Sequence, residues 1–324
     1  MLVKRKVSWS LFYGLLFSLL LWEVIVRLTV VSPAAVIHDP ELGAIKAPGV
    51  EVLRTYEGFS RYITDAYGFN NDEIPKQLSA RRILLIGDSF VEAEQVQRSE
   101  NFAYRLNQYN NTFVYNAGLS GADPSIFPVI LQRFQPVVQP TQLVIFVNSG
   151  DLMALSSDQP PRYEALSGLK KWLQPVFASS ALMTHLNWKY KPEVEAWLHT
   201  LISSNKVEAS RPASLGLKSS YWHNILVHLK SKGIPILVVV MPSITYQAGG
   251  AEAIISPASI ALVEVARGLN IDVIRTEEEF VRNYEQTKCV SLGFSNSHLG
   301  RGHLNANGHK VMEKIIAKQL GMLR

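Results

Sequence analysis

The sequence predicts an α/β chain: one parallel β-sheet with helices on both faces, preceded by a single membrane-spanning helix. Three observations predict it. Short, continuously apolar runs alternate with helix-prone segments from residue 81 to the C-terminus. Those runs are apolar at every position, as strands buried on both faces must be. And an uncharged stretch follows a basic cluster at the N-terminus.

The N-terminal stretch carries Lys4, Arg5 and Lys6, then no charge from Val7 to Trp22, then Glu23 and Arg27, with apolar residues resuming to Val31. As a helix, Val7 to Val31 would span roughly 37 Å, enough to cross a bilayer with some tilt. Glu23 and Arg27 share a helical face and can pair near the interface. The basic cluster keeps the N-terminus cytoplasmic and exports the rest, an inner-membrane, single-pass arrangement with the domain on the periplasmic side. The alternative is a cleaved signal peptide, with small residues at Ser32-Pro33-Ala34, though Glu23 and Arg27 sit poorly in its apolar core.

Residues 32 to 80 read as an irregular lead-in, with turn signals at His38-Asp39-Pro40 and Pro48-Gly49. The main domain occupies 81 to 324. Strands are expected at Ile83–Ile86, Thr112–Tyr115, Leu143–Val147, Ile236–Val240 and Ile271–Ile274. Helices are expected at Phe102–Tyr109, Ser125–Phe134, Ser219–Lys232, Ile260–Leu269 and Ala306–Leu320. Residues 152 to 216 interrupt this rhythm with a helix-prone insertion rich in Trp and Leu. It would serve as a lid, a partner surface or a membrane-facing patch, or its aromatics would simply fill the core.

Composition narrows the function. The chain has 324 residues, 47% of them hydrophobic, and a net charge of +5 from scattered basic residues. No basic stripe interleaved with aromatics is present, which speaks against nucleic-acid binding. The single cysteine, Cys289, forms no disulfide framework and no cysteine zinc site. His298 and His303 lack an acidic cluster at ligand spacing, so no metal and no other cofactor is expected.

"RRILLIGDSFVE" (81–92) places Ser89 just past a buried strand and at the start of a helix, where the helix dipole favours negative charge on oxygen. Taken alone it could equally be a polar turn capped by Asp88 or Ser89. Val91 breaks the G-x-S-x-G pattern of the α/β-hydrolase elbow. "GRGHLNANGH" (300–309) supplies the partner. Asn305 is a good N-cap, so His303 lies just outside a helix start, placed to take a proton. His309 falls inside that helix, where a packing role suits it better. Ser89 and His303 together could form a nucleophile–base pair.

With these blocks in place the chain resembles the SGNH/GDSL hydrolase superfamily, in particular its membrane-anchored bacterial members. "ILLIGDSFVE" matches the first block, "VYNAGLSG" the second, "VIFVNSGDL" the third and "HLNANGH" the fifth. "DPELG" (39–43) and "DAYGFNN" (65–71) stand where anchored members carry related segments. The resemblance implies a flavodoxin-like three-layer sandwich. It also implies Ser89 as nucleophile and His303 as base, with the backbone N–H groups of Ser89 and Gly118 receiving the oxyanion.

Two positions depart from the pattern. The third block holds Gly150 where the family has an oxyanion-binding Asn. Asn148, two residues back, would substitute only if the loop shifts. Gly300 stands where the family has the Asp that orients the histidine. Orientation would then fall to a backbone carbonyl, leaving a Ser–His dyad, or to a distant acid such as Asp151. The expected function is a serine-dependent esterase or O-acyltransferase acting on acyl esters, such as those of cell-surface glycans, outside the cytoplasm. The alternative is a catalytically weak relative that binds glycan or protein at the membrane.

Overall fold

The computed structural model describes residues 2–31, 36–75, 79–148, 180–186, 189–190, 215–247 and 249–323. Most of the insertion, with Gly150 and Asp151, lies outside the described residues.

Five parallel strands form the central sheet: β5 (Arg81–Gly87), β6 (Thr112–Gly118), β7 (Gln142–Asn148), β8 (Ile236–Met241) and β11 (Asp272–Arg275). Their spatial order is β11-β8-β7-β5-β6. Counted along the domain this is 2-1-3-4-5, the flavodoxin-like order, with its switch point where β5 lies between β6 and β7. Ligands bind such sheets at the carboxyl ends of the strands beside that point, and Ser89 follows β5.

The alternation of side chains along each strand builds two cores. Leu84 and Ile86 of β5, with Ile145 and Val147 of β7, face Phe127, Leu131 and Phe134 of α4 (Phe127–Val138). The same layer takes Trp222 and Leu226 of α5 (Leu215–Lys230) and Leu262 of α6 (Pro257–Gly268). Ile83 and Leu85, with Val144 and Phe146, face the opposite layer. There Phe102 and Leu106 of α3 (Phe102–Asn107) meet Met312 and Ile316 of α8 (Ala306–Gln319). Three layers follow directly from strands that are apolar on both sides.

Every expected strand and helix of the main domain is present, with shifted ends. Strand β6 runs three residues past Tyr115, which matters below. Among the described residues a hairpin of β9 (Ser243–Gln247) with β10 (Gly250–Ile254) and α7 (Glu277–Thr287), a strongly charged helix, come in addition.

The lead-in departs from expectation. Residues 36 to 63 form two antiparallel hairpins rather than irregular chain: β1 (Val36–Asp39) with β2 (Gly43–Lys46), and β3 (Glu51–Arg54) with β4 (Ser60–Ile63). Asp39 and Asp65 anchor the turns of this collar. Asp39 accepts from the N–H groups of Glu41 and Leu42 at 2.9 Å and pairs with Arg133 through both carboxylate oxygens. The hydrogen-bonded Arg133 guanidinium holds that carboxyl down at about 2. Asp65 accepts from the N–H groups of Tyr67 and Phe69 and from the buried Tyr115 hydroxyl. Gly68 must be glycine: at φ +86° a side chain there is strained, and its Cβ would fall 2.1 Å from the Lys46 carbonyl oxygen.

Helix α1 (Leu2–Thr29) is long and apolar enough from Trp9 to Thr29 to cross a membrane, and almost none of that stretch is buried in the fold.

Candidate active site

Asp88, not Ser89, caps the helical turn that follows β5. Its Oδ1 accepts from the Phe90 N–H at 3.0 Å, opening the short helix α2 (Ser89–Glu92). The Ser89 side chain is therefore left for another partner. Its Oγ lies 2.8 Å from Nε2 of His303. Asn305 accepts from the N–H groups of Asn307 and Gly308 and so caps α8, which leaves His303 two residues before the cap and outside the helix. The imidazole is packed between Phe90, whose ring centroid is 4.9 Å away, and the carboxylate of Glu57.

Glu57 was not among the expected site residues. It sits in the turn between β3 and β4 and grips His303 twice. Oε2 accepts from Nδ1 and Oε1 accepts from the backbone N–H, both at 2.7 Å. A carboxylate only accepts, so Nδ1 carries the proton and Nε2 is left to accept from the Ser89 hydroxyl. Burial alone would raise the Glu57 carboxyl. The hydrogen bonds and charge of His303 outweigh it and hold the group below the usual carboxylate range. Gly302 makes room for this grip: at φ +91°, a Cβ there would fall 2.2 Å from Glu57 Oε1. The orienting group is thus neither a backbone carbonyl nor a residue near position 300. Gly300 itself packs against the ring of Tyr246.

The turn bearing Glu57 is stapled from the far end of the chain. Asn296 accepts from the Gly58 N–H and donates to the carbonyls of Thr55 and Gly58, each at 2.8 Å. A buried charge cluster holds the collar to α2. Lys46 pairs with Glu92 and, at 2.6 Å, with Glu94, which also takes Arg54 at 3.2 Å. The second oxygen of Glu92 accepts from the Ser120 N–H at 2.8 Å, fixing the loop after β6.

Two expected oxyanion donors are placed otherwise. Because β6 continues to Gly118, that residue pairs across to Gly87 inside the sheet, and its N–H donates to Asn116 Oδ1 at 2.9 Å. The Asn148 amide donates to Asp88 Oδ2 at 2.5 Å and so steadies the cap of α2. Burial pushes the Asp88 carboxyl up, against the hydrogen bonds from Phe90 and Asn148. In the loop beyond β6, the Ser120 N–H is taken by Glu92 and the Ala122 N–H by Leu119. Among the described residues the Gly121 N–H between them has no partner, nor does that of Ser89. His309, as expected, is a packing residue, fully buried and stacked on Phe102.

Fold and site together define a flavodoxin-like α/β sandwich carrying a hydrogen-bonded serine–histidine–glutamate chain at the switch point of its sheet. No family model and no curated protein matches the chain. Solved structures similar to it include LAE5, an α/β-hydrolase enzyme from the metagenome of Lake Arreo, Spain. That structure is 13% identical, covers 76% of this chain and 98% of its own, and has a TM-score of 0.42. A member of the lipolytic G-D-S-L family from Veillonella parvula is 12% identical over 76% of this chain and 100% of its own, with a TM-score of 0.41. A catalytic mutant of an acetylxylan esterase from Geobacillus stearothermophilus is 12% identical over 77% and 99%, with a TM-score of 0.42.

Proposed function

We propose that the protein is a serine-dependent esterase of the SGNH/GDSL type, anchored by α1 and acting on acyl esters outside the cytoplasm. The observation that carries the reading is the unbroken chain from Ser89 Oγ through His303 to Glu57, with contacts of 2.8 and 2.7 Å. In this reading His303 Nε2 takes the Ser89 proton as Oγ forms a bond to the ester carbonyl carbon. The oxyanion is received by the N–H groups of Ser89 and Gly121, the latter in place of Gly118. As the tetrahedral adduct collapses, the C–O bond to the leaving alcohol breaks and His303 returns its proton to that alcohol. Water then attacks the acyl-serine by the same route and releases the carboxylic acid; a sugar hydroxyl in its place would make the reaction a transfer. Glu57 keeps the imidazole in the productive tautomer and stabilises the imidazolium that forms.

The alternative of a catalytically weak binding module drew its support from the glycines at 150 and 300. Glu57 supplies a carboxylate that Gly300 does not, which favours catalysis. The exposed apolar surface of α1, where Leu11, Phe17 and Leu28 are each more than three-fifths accessible, suits lipid, and Lys4 to Lys6 set its orientation. The acetylxylan esterases among the similar structures suggest O-acetyl groups on a glycan as the ester. The test is to treat the full chain in detergent micelles with a fluorophosphonate probe and p-nitrophenyl acetate. Labelling at Ser89, and turnover abolished by Ser89→Ala and His303→Ala, are expected. No labelling of Ser89 and no turnover would overturn the reading.

A further inference from the structure

The end of α1 is built into the turn that carries Glu57. Most of the helix exposes its apolar side chains, but Val26 is only 3% accessible, and Val31, two residues past the helix end, is fully buried. Both pack with Ala181, Leu182 and Tyr56. The Val30 carbonyl accepts from the Thr55 hydroxyl at 2.6 Å. Glu23 receives the first N–H groups of the helical segment 181–186: Ala181 N–H donates to it at 2.9 Å, Leu182 N–H at 3.0 Å and the Ser180 hydroxyl at 2.7 Å. That segment closes back on the same turn, since His185 stacks on Tyr56, its Nδ1 3.2 Å from the Tyr56 hydroxyl.

Thr55 and Tyr56 immediately precede Glu57. The turn is therefore held on one side by Asn296 and on the other by α1 and the segment that Glu23 caps. A helix serving only to route or tether the chain has no need of such contacts. A chain cut after residue 31 would leave three donors at residues 180–182 without their acceptor, and Tyr56 without the valines beneath it.

We propose that α1 is retained in the working protein and that its last two turns, through Thr55 and Glu23, are a positioning element of the active site that sets Glu57 against His303. The proposal rests on the reading of Ser89, His303 and Glu57 as a catalytic triad. It predicts a coupling that a merely structural role would not give: loosening the end of α1 acts through Glu57 and through nothing else at the site.

The experiment uses the full chain in detergent micelles. Thr55→Val removes the hydroxyl at constant shape and should lower kcat for p-nitrophenyl acetate about 10-fold with little change in KM, the size expected from a small misplacement of a catalytic group. Glu23→Ala should act in the same direction, and Thr55→Ser should restore the parent rate. In a Glu57→Gln background both changes should fall to less than about 2-fold. Amide exchange over residues 55–58 should speed up in Thr55→Val, while thermal unfolding confirms a folded chain. The intact mass of protein recovered from membranes should include residues 1–31. Equal losses with and without Glu57, unchanged exchange at 55–58, or a mature chain beginning beyond residue 31 would each overturn the proposal. If the parent neither labels at Ser89 nor turns over ester, the triad reading fails, and exchange and mass still decide whether α1 holds this turn.

Discussion

Glu57 reaches His303 across 246 positions of the chain and holds it by two hydrogen bonds, one to the ring and one to the backbone. A single bond would fix the tautomer. Two fix the ring's position as well, because the loop and the imidazole are tied to one rigid carboxylate. Glu57→Gln keeps the shape but can present an amide N–H to Nδ1, favouring the wrong tautomer. Removing the carboxylate from a triad costs about 10⁴ in kcat, and a loss of 10³ to 10⁴ is expected here. Stopped or steady-state kinetics on p-nitrophenyl acetate would measure it; a loss below about 10-fold would show that Glu57 does not act in the reaction.

Gly302→Ala should resemble that variant without touching any polar group. The added methyl would fall 2.2 Å from Glu57 Oε1, at a φ of +91° that already strains an L side chain. We expect kcat to fall by about 10² or more, with a stability cost of about 1–3 kcal/mol from the backbone alone. Gly300→Asp, which places an acid three residues before His303, should not rescue Glu57→Gln. Position 300 has φ +84°, and its Cβ would sit 3.1 Å from the Tyr246 ring. Recovery of activity in the double variant would show that the loop can rearrange to use an acid there.

Sequence and structure agree where a local pattern dictates the outcome. Ile83–Ile86 and Ile236–Val240, short continuous apolar runs, read as strands buried on both faces, and the position of Ser89 after the first follows from it. The pairing of Ser89 with His303 was legible because each sits at a recognisable boundary, a strand end and a helix cap. Glu57 was not, because nothing near it in sequence marks a lone carboxylate in a tight turn. The available signal was negative: Gly300 and Gly302 beside His303 leave space where an acid would otherwise stand. The hairpins of residues 36–63 were hidden by their four-residue strands, too short for a period to show. Gly118 as an oxyanion donor rested on the resemblance alone, and the strand expected to end at Tyr115 runs on to include it. Ending β6 at Tyr115 puts Gly118 in the loop, whereas carrying it to Gly118 moves the loop's open N–H to Gly121.

Gly121 offers a test of that shift. It lies at φ +75° with nothing within 4 Å of where its Cβ would be. Gly121→Ala therefore meets no clash, only backbone strain that turns the N–H. If this group receives the oxyanion, kcat should fall by about 10²–10³ with KM little changed. Fluorophosphonate labelling should slow in proportion, and an unaffected rate would remove Gly121 from the mechanism.

The collar's charge cluster should govern stability. Lys46 and Glu92 are almost wholly buried and paired to each other, and Glu94 draws in both Lys46 and Arg54. Removing one member leaves buried charge without compensation, which costs about 3–5 kcal/mol. Lys46→Met should show a loss of that order in chemical denaturation. Because Glu92 also holds Ser120, activity should fall further than the folded fraction does. A variant with parent stability would place the cluster in water rather than in the core.

His309 should make the fold acid-sensitive well above the carboxylate range. It is fully buried, with Nδ1 accepting from the Phe102 N–H at 3.4 Å. Burial, helped by the nearby charges of Arg105 and His303, depresses its pKa to about 3. The unfolded chain, with an ordinary imidazole near 6.5, takes the proton first. Stability therefore falls as pH drops through about 6.5, by up to roughly 1.4 kcal/mol per pH unit, and the fall continues until the folded-state value is reached. Glu57 has the same sign but acts lower. Its folded pKa is depressed, so its contribution is present above the ordinary carboxylate value and is lost only as pH falls below it. Denaturant midpoints at pH 7 and pH 5 should thus differ in the parent. They should converge in His309→Leu even though that variant is less stable at pH 7, and a pH slope unchanged by the substitution would assign the acid sensitivity to other groups.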